Sequence, residues 1–351
     1  MANHMRILVT GSTGFVGFHV VKALKTHGHE VTVLVRNADK ARELYDKYKI
    51  HLDRVVTGSI ADPTVVRDAL QDCDGVVHAA AITPMQAASE EELFSTNVNG
   101  VKNVIGTACE LGINNAVYVS SITAIFNTDP AKMSADAPVA RSSHAYGRSK
   151  SQAEEYVRSL QATGKGVKTL YPGGIIGPDD PGISSTLMSL QYRMTQGFRI
   201  TTGGTQQIDV RDLAAFIVAL LERNDKNPAR YLTAGHYMLW EDFADLLEDI
   251  SGTILPRSRI SGFMLRLIGY YYDMQRLFKP VPSPISAETM RYATQWPCVT
   301  NAQEIAALGV KLRSVRETFT DTLRAMGERN LLDKALLPKL FPQPTNNVQG
   351  E

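Results

Sequence analysis

The chain of 351 residues is 44% hydrophobic and sets 37 Lys and Arg against 36 Asp and Glu, a net charge of +1. At roughly 100–200 residues per domain this allows two or three domains, and it excludes a disordered chain and a nucleic-acid platform with a large basic excess. Three distant cysteines, Cys73, Cys109 and Cys298, with no Cys-x-x-Cys pair, predict reduced thiols in a cytoplasmic protein, with no disulfide framework and no metal site. No secretory apolar core precedes Gly11. The longest apolar run, Leu213–Leu221, is nine residues, short of the ~20 of a spanning helix, so no transmembrane segment is expected.

In chain order, 6–10 is a short apolar run with β-branched residues, 15–26 has helical spacing, and 31–35 is apolar again. Asp62-Pro63 predicts a helix start, with Asp as N-cap and Pro at the first position, continued by 65–70. Strand signals follow at 75–79 and 116–120, and helices at 98–111 and 146–160. This alternation predicts βαβ units and an α/β fold with a doubly wound parallel sheet. Gly and Pro cluster at 177–182, and the rhythm changes there. Segments 207–223 and 230–234 still read as sheet and covering helix. The expected division is a dinucleotide-binding domain at 5–182 and 201–236, and a smaller, mostly helical substrate domain at 183–200 and 237–335. A loose tail is expected at 336–351, where Pro338, Pro342 and Pro344 fall.

Thr10-Gly11-Ser12-Thr13-Gly14-Phe15-Val16-Gly17 lies between the first strand and its helix, the context a dinucleotide loop requires. Gly11 makes the tight turn, Gly14 lets a pyrophosphate approach the backbone, and Gly17 lets helix and strand pack closely. The helix N-terminus offers N–H groups and partial positive charge. The second strand ends in Arg36, 19 residues after Gly17, where an acid would hold the ribose of NAD. A guanidinium suits a 2′-phosphate, with Lys40 and Arg42 nearby, so NADP(H) is favoured over NAD(H).

Over residues 5–235 the chain resembles the extended short-chain dehydrogenase/reductase family, the Rossmann-type epimerase/dehydratase superfamily. The resemblance rests on the glycine loop, Val76 to Ala81, Asn97-Val98-Asn99-Gly100, Ser120-Ser121, Tyr146-Gly-Arg-Ser-Lys150, Pro172-Gly173-Gly174-Ile175 and Gly177-Pro178. It implies catalysis by Ser121, Tyr146 and Lys150. It also implies a cofactor held by Gly11, Thr13, Gly14, Phe15, Val16, Gly17, Arg36, Ser59, Ile60, Ala79, Ala80, Ala81, Asn97, Tyr146, Lys150, Pro172, Gly173, Gly174 and Ile175. Where the family often has Gly-Asp after the third strand, this chain has Gly58-Ser59, so the Ser59 hydroxyl and Ile60 backbone would serve. Tyr45 and Lys49 share the Tyr-x-x-x-Lys spacing but come too early to meet a substrate. Ser120 and Thr123 stay open as alternatives to Ser121. Asn97 holds a helix kink, an active-site water or a helix cap, and His78 is read as structural.

On a helix Lys150 shares a face with Tyr146, and its ammonium is expected to draw the phenol pKa down from ~10. Tyr146 then exchanges a proton with a carbonyl or alcohol oxygen while nicotinamide exchanges a hydride. Nucleotide-sugar epimerases and dehydratases of the family carry an Arg where Thr205 or Gln206 stands here. The dehydratases add an acid after the catalytic hydroxyl, where Ile122 and Thr123 stand. The resemblance therefore leans to the dihydroflavonol-reductase-like and 3β-hydroxysteroid-dehydrogenase-like branch, with a small, apolar carbonyl or alcohol substrate. A sugar epimerase or dehydratase, and a non-catalytic NADP(H) sensor, are the alternatives, and a homodimer stays open. The apolar segment 260–278 is read first as a core helix, second as a lid. The net +4 of residues 251–280 also suits an anionic substrate or a membrane surface.

Overall fold

The computed structural model describes residues 4–83, 89–223, 225–279, 285–300 and 302–342. Strands β1 (Arg6–Thr10), β2 (Glu30–Val35), β3 (Arg54–Thr57), β4 (Gly75–His78), β5 (Ala116–Val119) and β6 (Val167–Pro172) alternate with helices. These are α1 (Phe15–Thr26), α2 (Ala38–Lys47), α3 (Pro63–Leu70), α4 (Glu90–Phe94), α5 (Thr107–Glu110) and α6 (Ala145–Ala162). Between α4 and α5 the helix is π-wound at Ser95–Asn99 and Lys102–Gly106. Asp62 caps α3 by accepting from Thr64 N at 2.9 Å, with Pro63 at the first position, as its dipeptide predicts.

Alternate residues of β1 face opposite layers. Ile7 and Val9 pack with Phe18, Val21 and Leu24 of α1, whereas Leu8 packs with Val66 and Leu70 of α3 and Val157 of α6. Both faces of the sheet are therefore covered, which is why its strands read as continuous apolar runs. Beyond β6 come β7 (Gly174–Ile176), α7 (Ser185–Gln196), β8 (Phe198–Ile200), β9 (Gly204–Asp209), α8 (Val210–Glu222) and β10 (Ala229–Thr233). The main sheet is all parallel in the order β10-β6-β5-β4-β1-β2-β3. Its order reverses between β1 and β4, which opens a crevice at their C-terminal ends.

The chain continues through β11 (His236–Leu239), α9 (Trp240–Ser251), β12 (Arg257–Arg259), α10 (Gly262–Arg276), α11 (Ala287–Gln295), α12 (Ala302–Ala307) and α13 (Val315–Glu328). Strand β9 lies outside the main sheet and pairs with β7 and β11, while β8 pairs with β12. A second core joins Leu187 and Leu190 of α7, Trp240 and Phe243 of α9, and Phe319 of α13. Residues 336–341 differ from the expected loose tail: Leu337 is fully buried, Phe341 packs on the second core, and Lys339 N donates to Ser251 O at 3.0 Å. Pro338 follows the short helical turn Lys334–Leu336 without loosening the packing. Residues 343–351 lie outside the described part.

Helix α10 overturns its reading as a core helix, for its buried residues are Gly262 and Gly269. Phe263, Leu267, Tyr270, Met274 and Phe278 face solvent. The opposite, polar face meets α11: Arg266 donates to Thr294 Oγ1 at 3.1 Å and Asp273 accepts from Ala287 N at 2.9 Å. Helical spacing identifies an apolar stripe but not the side on which the protein lies. Among the described residues, no helix is long and apolar enough to cross a membrane.

Candidate active site

The glycine loop closes against β4. Gly11 has φ +72°, and a Cβ there would lie 2.6 Å from Ala80 N. A Cβ on Gly17 would lie 2.2 Å from the Gly11 carbonyl oxygen. Tyr45 donates to Ser12 O at 2.6 Å and holds the loop from behind. Gly14 starts α1 with no side-chain cap and no acid in the first turn, so its N–H groups stay open at the crevice. An uncapped helix start behind glycines fits the pyrophosphate of a dinucleotide. Gly17→Ala is expected to push α1 from the loop and cost about 1–3 kcal/mol, read by denaturant unfolding. Unchanged stability would refute the contact.

Ser121 ends the run after β5. Its Oγ accepts from Thr123 Oγ1 at 2.9 Å and from Thr123 N at 3.3 Å. Both bonds use its lone pairs and leave its O–H to donate. Ser120 turns away into the protein, where it donates to Glu154 Oε2 at 3.2 Å. The geometry thus favours Ser121 over Ser120 and makes Thr123 its anchor.

Tyr146 lies in the first turn of α6 and Lys150 one turn on, fully buried. Burial pushes the Tyr146 phenol above its usual value, and a hydrogen bond with Ser121 opposes the rise. The expected downward pull from Lys150 is not the dominant effect. Burial instead lowers Lys150 to about 8, with the charge of Glu154 opposing. A neutral phenol beside a partly titratable amine suits proton donation at neutral pH.

Glu154, a further turn along α6, is a site residue that the sequence reading missed. It is fully buried and accepts from Arg158 Nε at 2.8 Å, Ser120 and Tyr171. Its only signal in the sequence is the four-residue step from Lys150. His78 lies beneath the cleft, bonded to Thr10 Oγ1 at 2.7 Å. Burial, then the Lys150 charge, lowers it to about 3, so it stays neutral.

Asn97, expected at the cofactor, is placed otherwise. Its amide accepts from Ile82 N at 2.9 Å and donates to Ile82 O at 3.0 Å and to Ser149 Oγ at 3.1 Å. Ser149 in turn donates to Tyr146 O at 2.8 Å. With its N–H groups engaged and 1% exposure, Asn97 braces the π-wound helix against α6.

A cleft of about 330 Å3 gathers Gly11, Gly14, Phe15, Val16, Ala79, Ala81, Ser121, Tyr146, Lys150 and Pro172 to Ile175. Gly17 and Ala80 stand behind the loop, and Thr13 is exposed at its tip. Arg36, Ser59 and Ile60 lie outside this cleft, at the ends of β2 and β3. Ser59 Oγ accepts from Ala61 N at 3.1 Å, and Ile60 O accepts from Asn103 at 2.9 Å.

Residues 7–234 match the NAD dependent epimerase/dehydratase family, and the chain belongs to it. Hydride transfer on a bound nicotinamide dinucleotide is the chemistry of that family. The chain is 25% identical to sterol demethylase protein B of Methylococcus capsulatus, over 93% of this chain and 100% of that protein. It is 26% identical to a putative dihydroflavonol 4-reductase of Synechocystis, over 90% of this chain and 92% of that one. Its fold is similar to the UDP-glucose-4-epimerase of Stenotrophomonas maltophila, solved with NAD and formylated UDP-arabinopyranose, at TM-score 0.73 and 20% identity, covering 93% of this chain and 99% of that one.

The preference for NADP(H) is overturned. Similar structures were solved with NAD, including that enzyme and the UDP-glucose 4-epimerase of Bifidobacterium longum. The structure supplies a physical reason. Arg42 pairs with Asp39 at 3.2 Å, so the three cations read from the sequence do not form one free cluster. Arg36 is exposed at the end of β2, and a guanidinium can stack on a base as readily as it binds phosphate.

Proposed function

We propose that the chain is an NAD(H)-dependent oxidoreductase that interconverts a ketone or aldehyde and an alcohol on an apolar small molecule. The observation that carries this reading is the convergence of Ser121, Tyr146 and Lys150 in one cleft with the glycine loop. The bound dinucleotide supplies or takes up the hydride. In the reducing direction Tyr146 donates its proton to the carbonyl oxygen. Ser121 donates a hydrogen bond to the same oxygen, its orientation fixed by Thr123. The Lys150 ammonium then stabilises the phenolate left behind.

A nucleotide-sugar reading is less well supported by the residues present. Thr205 or Gln206 stands where an arginine clamp would be, and neither is charged; Gln206 is also engaged. Its amide is buried and donates to Val299 O at 2.6 Å and Gly235 O at 3.0 Å. It is neutral and engaged, so it does not bind a diphosphate. The test is NADH oxidation across apolar ketones, aromatic aldehydes, steroids and UDP-sugars. Turnover of the apolar carbonyls is expected. Faster conversion of a UDP-sugar overturns the choice of substrate, and no turnover of any carbonyl overturns the enzyme reading.

A further inference from the structure

A second cavity, of about 490 Å3, adjoins the Tyr146 cleft and shares Gly174, Ser185 and Thr186 with it. Among the described residues lining it, Arg193 of α7 is the sole charged side chain. Its guanidinium lies 4.9 Å from the centre of the Trp240 ring and 5.8 Å from that of Phe198. Nη1 donates to Ser189 O at 3.0 Å and to the Ser189 hydroxyl. No other bond of this guanidinium is found among the described residues, so Nε and Nη2 keep their N–H groups for an acceptor. Burial lowers Arg193 to about 10, and no carboxylate opposes the shift. It is still charged at neutral pH.

A largely buried cation without an anionic partner is costly unless something neutralises it. Two residues of this wall also carry partnerless polar atoms, buried behind its surface. Trp296 Nε1 is a buried donor, and Gln207 Oε1 a buried acceptor, each without a hydrogen bond among the described residues. Trp240, Phe243, Tyr292 and Phe319 add aromatic surface to a wall that also carries small and hydroxyl-bearing residues. Such a cavity suits one anionic group on an apolar body.

We propose that this cavity receives a carboxylate on Arg193, so that the substrates of the neighbouring cleft are apolar hydroxy- or oxo-carboxylic acids. The proposal rests on the reading of that cleft as a carbonyl–alcohol site. A single guanidinium with no second cation matches a monoanion, and its planar fork matches the two carboxylate oxygens. A phosphate or diphosphate carries more charge than this wall neutralises.

The experiment uses the full chain without cofactor. Its two tryptophans, Trp240 and Trp296, both line the cavity, so intrinsic fluorescence reports directly on occupancy. Dodecanoate, below its micelle concentration, is expected to change that fluorescence and to bind about tenfold or more tightly than 1-dodecanol. Arg193→Met should abolish the preference, and Arg193→Lys should retain part of it. Equal binding of acid and alcohol by the wild type overturns the proposal without any variant being needed, and so does wild-type affinity for dodecanoate in Arg193→Met. Tighter binding of dodecyl phosphate overturns the choice of carboxylate. The readout is independent of turnover, so its failure is distinct from failure of the carbonyl panel. Turnover of neutral ketones with no preference for acids leaves the oxidoreductase reading standing and removes this one.

Discussion

Tyr146→Phe is expected to lower kcat/KM for a carbonyl substrate by about 10²–10⁴-fold, the usual worth of a positioned general acid, while NADH binding stays near wild type. The substitution removes one oxygen and keeps the ring. Ser149 still accepts from Asn97 and donates to the backbone carbonyl at position 146, so α6 keeps its place. Ser121 keeps its bonds from Thr123 and remains able to polarise the carbonyl. The residual rate thus measures what Ser121 contributes without a proton donor. The measurement is steady-state NADH oxidation together with a fluorescence titration of NADH. Retained activity in the variant excludes Tyr146 as the acid. Lost NADH affinity shows that its role is binding.

Lys150→Met is expected to move activity and stability in opposite directions. The wild-type ammonium is fully buried, and its pKa falls from 10.5 to about 8. The unfolded chain therefore binds more protons between those values, and wild-type stability rises with pH across that window. Below pH 8 the buried charge costs about 3 kcal/mol relative to a neutral side chain. Methionine has a similar length and no charge. The variant is expected to melt roughly 4 °C higher at pH 7, with the gap closing toward pH 10. Turnover should be nearly lost. Differential scanning calorimetry at several pH values reads the first effect, and NADH oxidation the second. A variant that melts below wild type at pH 7 would show that the ammonium is stabilised by Glu154 more than burial penalises it.

Much of the first two-thirds of the fold was legible because parallel strands covered on both faces leave strong marks. The 6–10 and 75–79 runs, the Asp62-Pro63 start and the glycine turn each have a local physical cause that needs no distant partner. The site was legible as far as it follows chain order: Ser121 after one strand and Tyr146 with Lys150 on the next helix. What could not be read depends on packing direction. Nothing local shows that Ser120 turns inward to Glu154 while Ser121 turns to the cleft. The stripe on α10 has the spacing of a core helix, yet two glycines and an inward polar face put it on the surface. The three-residue strands β7, β8 and β12 are too short to carry any periodic signal. Arg193 looked like an ordinary helical arginine, and its isolation emerges only when Trp240 and Phe198 pack around it.

The Asn97 brace has a kinetic consequence. It ties the segment at Ile82, the π-wound helix and the start of α6 through side-chain amide bonds and Ser149. The backbone that carries Tyr146 is thereby immobilised before any ligand arrives. The entropy of orienting the proton donor is lost during folding, not at each encounter with substrate. Catalytic geometry on this side of the cleft is a property of the resting protein.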